Sequence, residues 1–351
     1  MLQKERNSSF ELLRLISMLL IVMHHYSLHG GFDYMSTLSL RLYFIQCLNM
    51  GGKLGVNLFI LISGYFLCKS NFKWQRIIKL ELEVIFYSLV IGIIFLILFP
   101  EGKSFNNLLR EIMPLLSGRY WFYNTYFVLI LLSPFINKLI VALSKDEFKK
   151  LLLIFFVLWV LIPFVHGLKA IEMSNLGWFI FLYLIAAYIR FFKEDFTKKT
   201  TTFYISLGII TYILILLSVL VFDLLGLLDS RFQKYFDYFL KMNSILVFAC
   251  SILLLIGFSK WNINYKRSIN ILASTTFGIY LIHDNKLVRP FLWKKLLENA
   301  TYFDSNKIFL HAFLSILSVY ICCIVIDLMR QFIFEKPLFS IVDKIRKRGN
   351  L

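Results

Sequence analysis

Long apolar segments recur along the whole chain, separated by short polar stretches. A membrane-spanning helix needs about 20 mostly apolar residues, and ten segments approach that length. We therefore predict an all-α, polytopic membrane helix bundle of about ten transmembrane helices, built as one domain over residues 1–351. The predicted spans are approximately 10–28, 54–69, 80–99, 120–142, 150–167, 176–192, 203–222, 240–258, 268–284 and 309–329.

The composition supports a membrane protein and argues against a nucleic-acid partner. Hydrophobic residues make up 59% of the chain and charged residues 17%, whereas soluble domains average about 25% charged. The net charge of +17 comes from Lys and Arg in short clusters between apolar runs, which is typical of cytoplasmic loops. An even number of spans puts both termini on one side. That side holds more of the Lys and Arg, so we predict cytoplasmic termini.

The cysteines predict neither a disulfide framework nor a metal site. They lie mostly inside apolar runs, where a free cysteine behaves as a small buried hydrophobe. No pair shows the close spacing of a zinc or redox motif. They are Cys47, Cys68, Cys250, Cys322 and Cys323.

The first apolar segment carries ionisable side chains that are costly in hydrocarbon. Arg14 and His25 are eleven residues apart. In a helix they lie about 20° apart and roughly 16 Å along the axis, whereas His24 points about 80° away from Arg14. This polar face suits a shared cavity in which Arg14 holds an anion and His25 accepts a proton. Alternatively, Arg14 reaches lipid headgroups and the histidines make structural hydrogen bonds.

Five stretches of the chain carry a resemblance to a known family. They are Arg-x10-His at 14–25, GVNLFILISGYFL at 55–67, RYWFYNTYFVLILLSPFI at 119–136, STTFGIYLIH at 274–283 and FEKPL at 334–338. In this order they resemble the acyltransferase-3 family of integral membrane O-acyltransferases. That family includes bacterial enzymes that acetylate surface polysaccharides.

The resemblance implies an enzyme of the bacterial cell membrane. An acyl group, usually acetyl, would pass from cytoplasmic acyl-CoA to a hydroxyl of a surface polysaccharide or its lipid-linked precursor. Arg14 and His25 are implied as the functional pair, without a metal. His25 either deprotonates the hydroxyl or carries the acyl group itself. We expect no extracellular hydrolase-like domain in the chain, so either the membrane domain or a separate partner enzyme completes the transfer.

The resemblance also implies a site for acyl-CoA after the second span. The family has an Arg-x-x-Arg there, and this chain has Arg76 and Lys79, with Lys73 one turn earlier. Lysine attracts phosphate but lacks the two-pronged hydrogen bonding of arginine. Ordinary positive charge of a cytoplasmic loop is the alternative explanation.

Four further residues are candidates for contact with the acceptor. His283 is followed by Asp284 in the chain. Three roles are open for it: it binds the acceptor, it relays a proton, or it has a purely structural role. Trp121 and Tyr123 either stack on a sugar ring or belong to an interfacial aromatic belt. Ser63 is either a nucleophile or part of a close helix contact.

Two other functions fit the same pattern of apolar spans with polar faces. The first is a lipid-linked oligosaccharide flippase or transporter without acyl transfer. Transporters often contain internal repeats, and none is evident here. The second is an acyltransferase of the same family that acts on a small molecule or lipid.

Overall fold

The computed structural model describes residues 7–99, 110–165 and 173–338, where the regular structure is helical. The basic residues near the two ends, from Lys4 to Arg6 and from Lys344 to Arg348, lie outside these ranges. The cytoplasmic position of both termini therefore stays a prediction.

The helices of seven or more residues are labelled in chain order. They are α1 (Ser8–His29), α2 (Leu40–Asn49), α3 (Gly51–Leu67), α4 (Trp74–Leu98), α5 (Trp121–Ala142), α6 (Lys145–Phe156), α7 (Asn175–Phe191), α8 (Thr201–Leu228), α9 (Ile245–Lys260), α10 (Arg267–Ala273), α11 (Thr276–His283) and α12 (Ile308–Arg330). Shorter α-helical, π-helical and 3-10 turns lie between or after them, at Val157–Leu161, Ile162–Phe164, Lys193–Phe196, Ser230–Tyr235, Tyr238–Leu240, Val288–Pro290, Phe291–Leu296, Asn299–Tyr302 and Gln331–Glu335.

Within the described residues, seven helical stretches are long and apolar enough to cross a membrane. They are Ser8–His29, Leu40–Leu67, Trp74–Leu98, Trp121–Ala142, Thr201–Leu228, Ser230–Lys260 and Ile308–Leu338. The predicted polytopic all-α bundle is thereby confirmed. The other three predicted spans coincide with shorter or interrupted helices. A π-helical turn follows α6, α7 has 17 residues, and a break separates α10 from α11. The count of ten remains a prediction.

Close backbone contact fixes α1 against α3. Gly51 and Gly55 are four residues apart and so lie on one face of α3. A Cβ atom on Gly55 would lie 2.5 Å from the carbonyl oxygen of Ser17, and one on Gly51 would lie 2.5 Å from that of Leu20. Small residues allow this approach between membrane helices. The position of α1, which carries Arg14 and His25, therefore depends on these two glycines.

A buried ionic network joins α12 to α4. Arg330 lies 3.0 Å from Glu83, 2.8 Å from Asp327 and 2.9 Å from Glu335. Tyr87 of α4 donates a hydrogen bond of 2.7 Å to Asp327. Glu335, the glutamate of the FEKPL stretch, thus forms an ion pair with Arg330. Three carboxylates contact the one guanidinium, so the charge of the buried Arg330 side chain is compensated.

The close contact at Gly55 predicts that a larger side chain at this position destabilises the protein. We expect Gly55→Val to lower the melting temperature in detergent by several degrees or to prevent monodisperse purification, because overpacking costs roughly 1–3 kcal/mol or more. Ala142→Val at the exposed end of α5 adds bulk without a neighbour and should change little. Equal melting temperatures for the two variants would contradict the close contact.

The ionic network predicts a second effect on stability. Arg330→Met leaves the buried carboxylates of Glu83 and Asp327 without their cation and should cost roughly 3–5 kcal/mol, measured as a lower melting temperature. Arg231 pairs with Asp229 but its side chain is 85% exposed, so Arg231→Met is a matched control with little expected effect. A melting temperature of Arg330→Met close to that of the control would show that the network contributes little.

Candidate functional site

Two cavities lie beside α1, towards its opposite ends. The Arg14 cavity, of about 330 Å³, is lined by Arg14, Ser63, Arg76, Lys79, Glu83, Tyr126 and neighbouring apolar residues. The His25 cavity, of about 140 Å³, is lined by His24, His25, His29, Lys53, Trp121, Tyr280, Asp284, Arg289 and neighbouring apolar residues.

Three phenylalanine rings line both cavities. They are Phe59 of α3, Phe122 of α5 and Phe277 of α11, and we call them the aromatic partition. The ring centroids of Phe59 and Phe122 lie 6.3 Å apart. We expected Arg14 and His25 to face one shared cavity. In the structure they line different cavities, which share these three rings as lining residues.

A chain of hydrogen bonds fixes the proton positions on His25. Nδ1 of His283 lies 2.5 Å from the carbonyl oxygen of Ile279, and a carbonyl only accepts, so this nitrogen carries the hydrogen. In the neutral ring, Nε2 of His283 is then an acceptor. It lies 2.8 Å from Nδ1 of His25, which must donate. The remaining nitrogen of neutral His25, Nε2, therefore has a free lone pair.

A buried carboxylate lies next to that free nitrogen. Nε2 of His25 is 3.5 Å from Oδ1 of Asp284, and Nε2 of His29 is 3.8 Å from the same oxygen. Nε of Arg289 donates to it at 2.6 Å. The other oxygen, Oδ2, is buried and has no hydrogen-bond partner in the described part of the chain. Asp284 can therefore stabilise a protonated His25 ring, while Arg289 holds the carboxylate in place.

The neighbouring His24 has a different environment. Its Nδ1 lies 2.5 Å from the carbonyl oxygen of Asn49, which ties α1 to the end of α2. Its ring packs directly against Gly52 of α3. No carboxylate within the described ranges lies at ion-pair distance from it. Of the two adjacent histidines, His25 is the one with a proton-transfer environment.

The same cluster raises the question of a metal ion. Ligand atoms of His25, His29 and Asp284 lie within 4.8 Å of one another. However, the guanidinium of Arg289 already bonds to the carboxylate, and Lys53 lines the same cavity. Two positive charges oppose the binding of a divalent cation. The donor set thus fits proton transfer better than metal binding, and a reaction without metal stays our prediction.

The Arg14 cavity is lined by more cationic side chains than the His25 cavity, although some of them form ion pairs. Nη1 of Arg14 lies 3.1 Å from Glu11, one turn earlier, and the Arg14 side chain is 25% exposed. The guanidinium is therefore held by a carboxylate and still open on one side. Arg76 and Lys79 line the same cavity as Arg14.

The three residues of the predicted basic patch have different environments in the structure. Arg76 lines the cavity and donates to Ser70 at 2.9 Å, with no ion pair in the described ranges. Lys79 also lines it, but its Nζ lies 2.5 Å from Glu335. Lys73 is the exposed residue before α4 and does not line the cavity. Arg76 is therefore the member most available to an anion.

The remaining predicted acceptor residues separate into three groups. Trp121 lines the His25 cavity, and His283 lies behind His25. Tyr123 is fully buried and donates to Glu81, so contact with a sugar is not supported. Ser63 lines the Arg14 cavity and accepts a bond of 3.2 Å from Tyr126.

No role was assigned from the sequence to three residues of the His25 cavity, His29, Arg289 and Lys53. His29 lies 3.8 Å from Asp284, and its spacing of one helical turn from His25 was a usable signal. Arg289 and Lys53 carried no such signal. Both join the cavity only through tertiary packing.

Comparison with known families agrees with the resemblance. Residues 7–328 match the Acyl_transf_3 family, described as an acyltransferase domain. No curated protein and no solved structure matches the chain. The family match runs from before α1 into α12 and includes both cavities. The chain therefore belongs to the acyltransferase-3 family.

Proposed function

We propose that the chain transfers an acyl group, acetyl being the expected one, from cytoplasmic acyl-CoA to a sugar hydroxyl. The acceptor would be a cell-surface polysaccharide or its lipid-linked precursor. Membership of the family supplies the acyltransferase chemistry. The observation that carries the proposal is the free lone pair on Nε2 of His25, which lines a cavity and lies 3.5 Å from Oδ1 of Asp284.

The donor fits the Arg14 cavity. Coenzyme A carries several phosphate groups, and guanidinium groups bind phosphate through paired hydrogen bonds. Arg76 is the cation there without a carboxylate partner in the described ranges, and Arg14 is partly open. We therefore assign the phosphates to Arg76 and Arg14, with Lys79 released from Glu335 on binding. Lys73 contributes only general attraction from outside the cavity.

The acceptor fits the His25 cavity, where the proton of a hydroxyl can be removed. In the direct route, Nε2 of His25 takes this proton while the hydroxyl oxygen attacks the thioester carbonyl. The carbon–sulfur bond breaks, and the thiolate takes the proton back from the imidazolium. Asp284 stabilises the imidazolium, and His283 holds the ring through Nδ1.

A relay route uses the same lone pair. Nε2 of His25 attacks the thioester carbonyl, and coenzyme A leaves as the thiolate. The hydroxyl oxygen then takes the acyl group from the ring, the bond between Nε2 and the acyl carbon breaks, and the hydroxyl proton ends on the thiolate. In both routes the thioester must reach His25 past the aromatic partition. The carbohydrate is delivered either within this chain's membrane domain or with the help of a separate partner enzyme.

Transport without acyl transfer is less well supported. The family to which the chain belongs is described as an acyltransferase domain, which favours acyl transfer over transport. An acyltransferase that acts on a small molecule or lipid differs from our proposal only in the acceptor.

Loss of the His25 lone pair should remove activity. In purified protein with radiolabelled acetyl-CoA, we expect His25→Gln to reduce transfer to surface glycan by roughly 10²–10⁴-fold, the range for a general base. His24→Gln is the matched control, because it removes the neighbouring imidazole but keeps a donor for Asn49. It should retain most of the activity at equal protein level.

Comparable transfer by the two variants would remove His25 from the mechanism. Glycan from cells with and without the protein, compared by mass spectrometry, identifies the acceptor and the acyl group. If acetyl-CoA is never consumed while glycan still crosses the membrane, the transporter explanation replaces ours.

The aromatic partition predicts a separate effect. Phe277→Ala should open the space between the cavities and admit water to the thioester. We expect a several-fold increase in acetyl-CoA hydrolysis without acceptor, measured as free thiol, while transfer per thioester consumed falls. Phe313→Ala, on the exposed face of α12, is the matched control. Unchanged hydrolysis in Phe277→Ala would show that these rings do not separate donor from water.

A further inference from the structure

Lys53 introduces an uncompensated positive charge into the His25 cavity. It belongs to α3, two residues before Gly55, and its side chain is half-buried. Within the described ranges it has no ion-pair partner. Its Nζ instead lies over the ring of Trp121, 5.7 Å from the centroid, a contact that offers about 0.5–2 kcal/mol.

The charges that line this cavity do not balance. Lys53 and Arg289 are both cationic, and Asp284 is the one acidic residue among the described lining residues. Oδ1 of Asp284 is already bonded to Arg289 at 2.6 Å. With neutral histidines, one positive charge remains. A cation next to a membrane core is costly unless it has a partner, so the cavity is built to receive a negative group.

The geometry points to an acidic sugar as the acceptor, with its carboxylate or phosphate bound by Lys53. This inference rests on the proposed function for the role of the cavity as the acceptor site. The anion would take the ammonium from the face of Trp121, and the freed ring would offer an apolar surface to the sugar. The hydroxyl to be acylated then lies at Nε2 of His25, which lines the same cavity.

A chemical reason links this arrangement to selectivity. A neutral sugar would leave the ammonium of Lys53 without an anionic partner and would have to compete with it for the face of Trp121, so it gains less on binding. An acidic sugar provides a charge-assisted hydrogen bond. Lys53 is therefore a specificity-determining residue that acts on binding and takes no part in proton transfer.

Binding of three pyranosides to the full-length protein in nanodiscs tests the inference. The probes are methyl glucuronide, glucose 6-phosphate and neutral methyl glucoside, titrated to tens of millimolar, well above typical Michaelis constants. We expect the glucuronide or the phosphate, but not the glucoside, to raise the melting temperature. Which of the two does so identifies the anion.

Variants assign the effect to Lys53. Lys53→Met should raise the apparent dissociation constant of the acidic probe at least ~10-fold, and Lys53→Arg should keep it near wild type. Lys69→Met is the matched control, since Lys69 also lies over an aromatic ring, that of Phe191, at 4.4 Å, but outside the His25 cavity. It should bind like wild type.

Three results would overturn the inference. They are an equal shift with methyl glucoside, an unchanged shift in Lys53→Met, and no shift with either acidic probe. The measurement of sugar binding needs no acyl-CoA, so its outcome does not depend on whether the protein transfers an acyl group. If the protein binds the acidic sugar but does not consume acetyl-CoA, acyl transfer is refuted, whereas the proposed binding site at Lys53 still stands.

Discussion

Hydrocarbon cannot solvate charge, so an ionisable side chain in a spanning helix needs a partner inside the protein. The structure follows this constraint at both ends of the bundle. Arg330 is surrounded by Glu83, Asp327 and Glu335, which joins α12 to α4. At the other end, His25 is bonded to His283. The polar face of α1 must therefore lie within the bundle, and the two cavities form where that face meets the neighbouring helices.

Helical periodicity made one part of the site predictable from the sequence. The spacing of Arg14 and His25 puts them on one face of α1, and the length of the apolar runs indicates a polytopic bundle. The i+4 spacing of His29 carried the same signal and was overlooked. Interrupted spans were harder to define, because α10 and α11 are each short and a window of average hydrophobicity does not detect a break.

The rest of the site depends on contacts between distant segments. Asp284 follows α11 and meets His25 only because α11 packs against α1. Lys53 reaches the cavity because Gly51 and Gly55 bring α3 close to α1. The aromatic partition draws one ring each from α3, α5 and α11. No local pattern in the sequence encodes such convergence, so the division into two cavities could not be foreseen.

The partition has a consequence beyond chemistry. A water-filled channel through a membrane enzyme would conduct protons and small cations and dissipate the gradients that energise the cell. Rings from Phe59, Phe122 and Phe277 line both cavities, and apolar side chains in a pore oppose the passage of ions. In the proposed reaction, the donor and acceptor cavities would serve different compartments while these rings limit ion leakage between them.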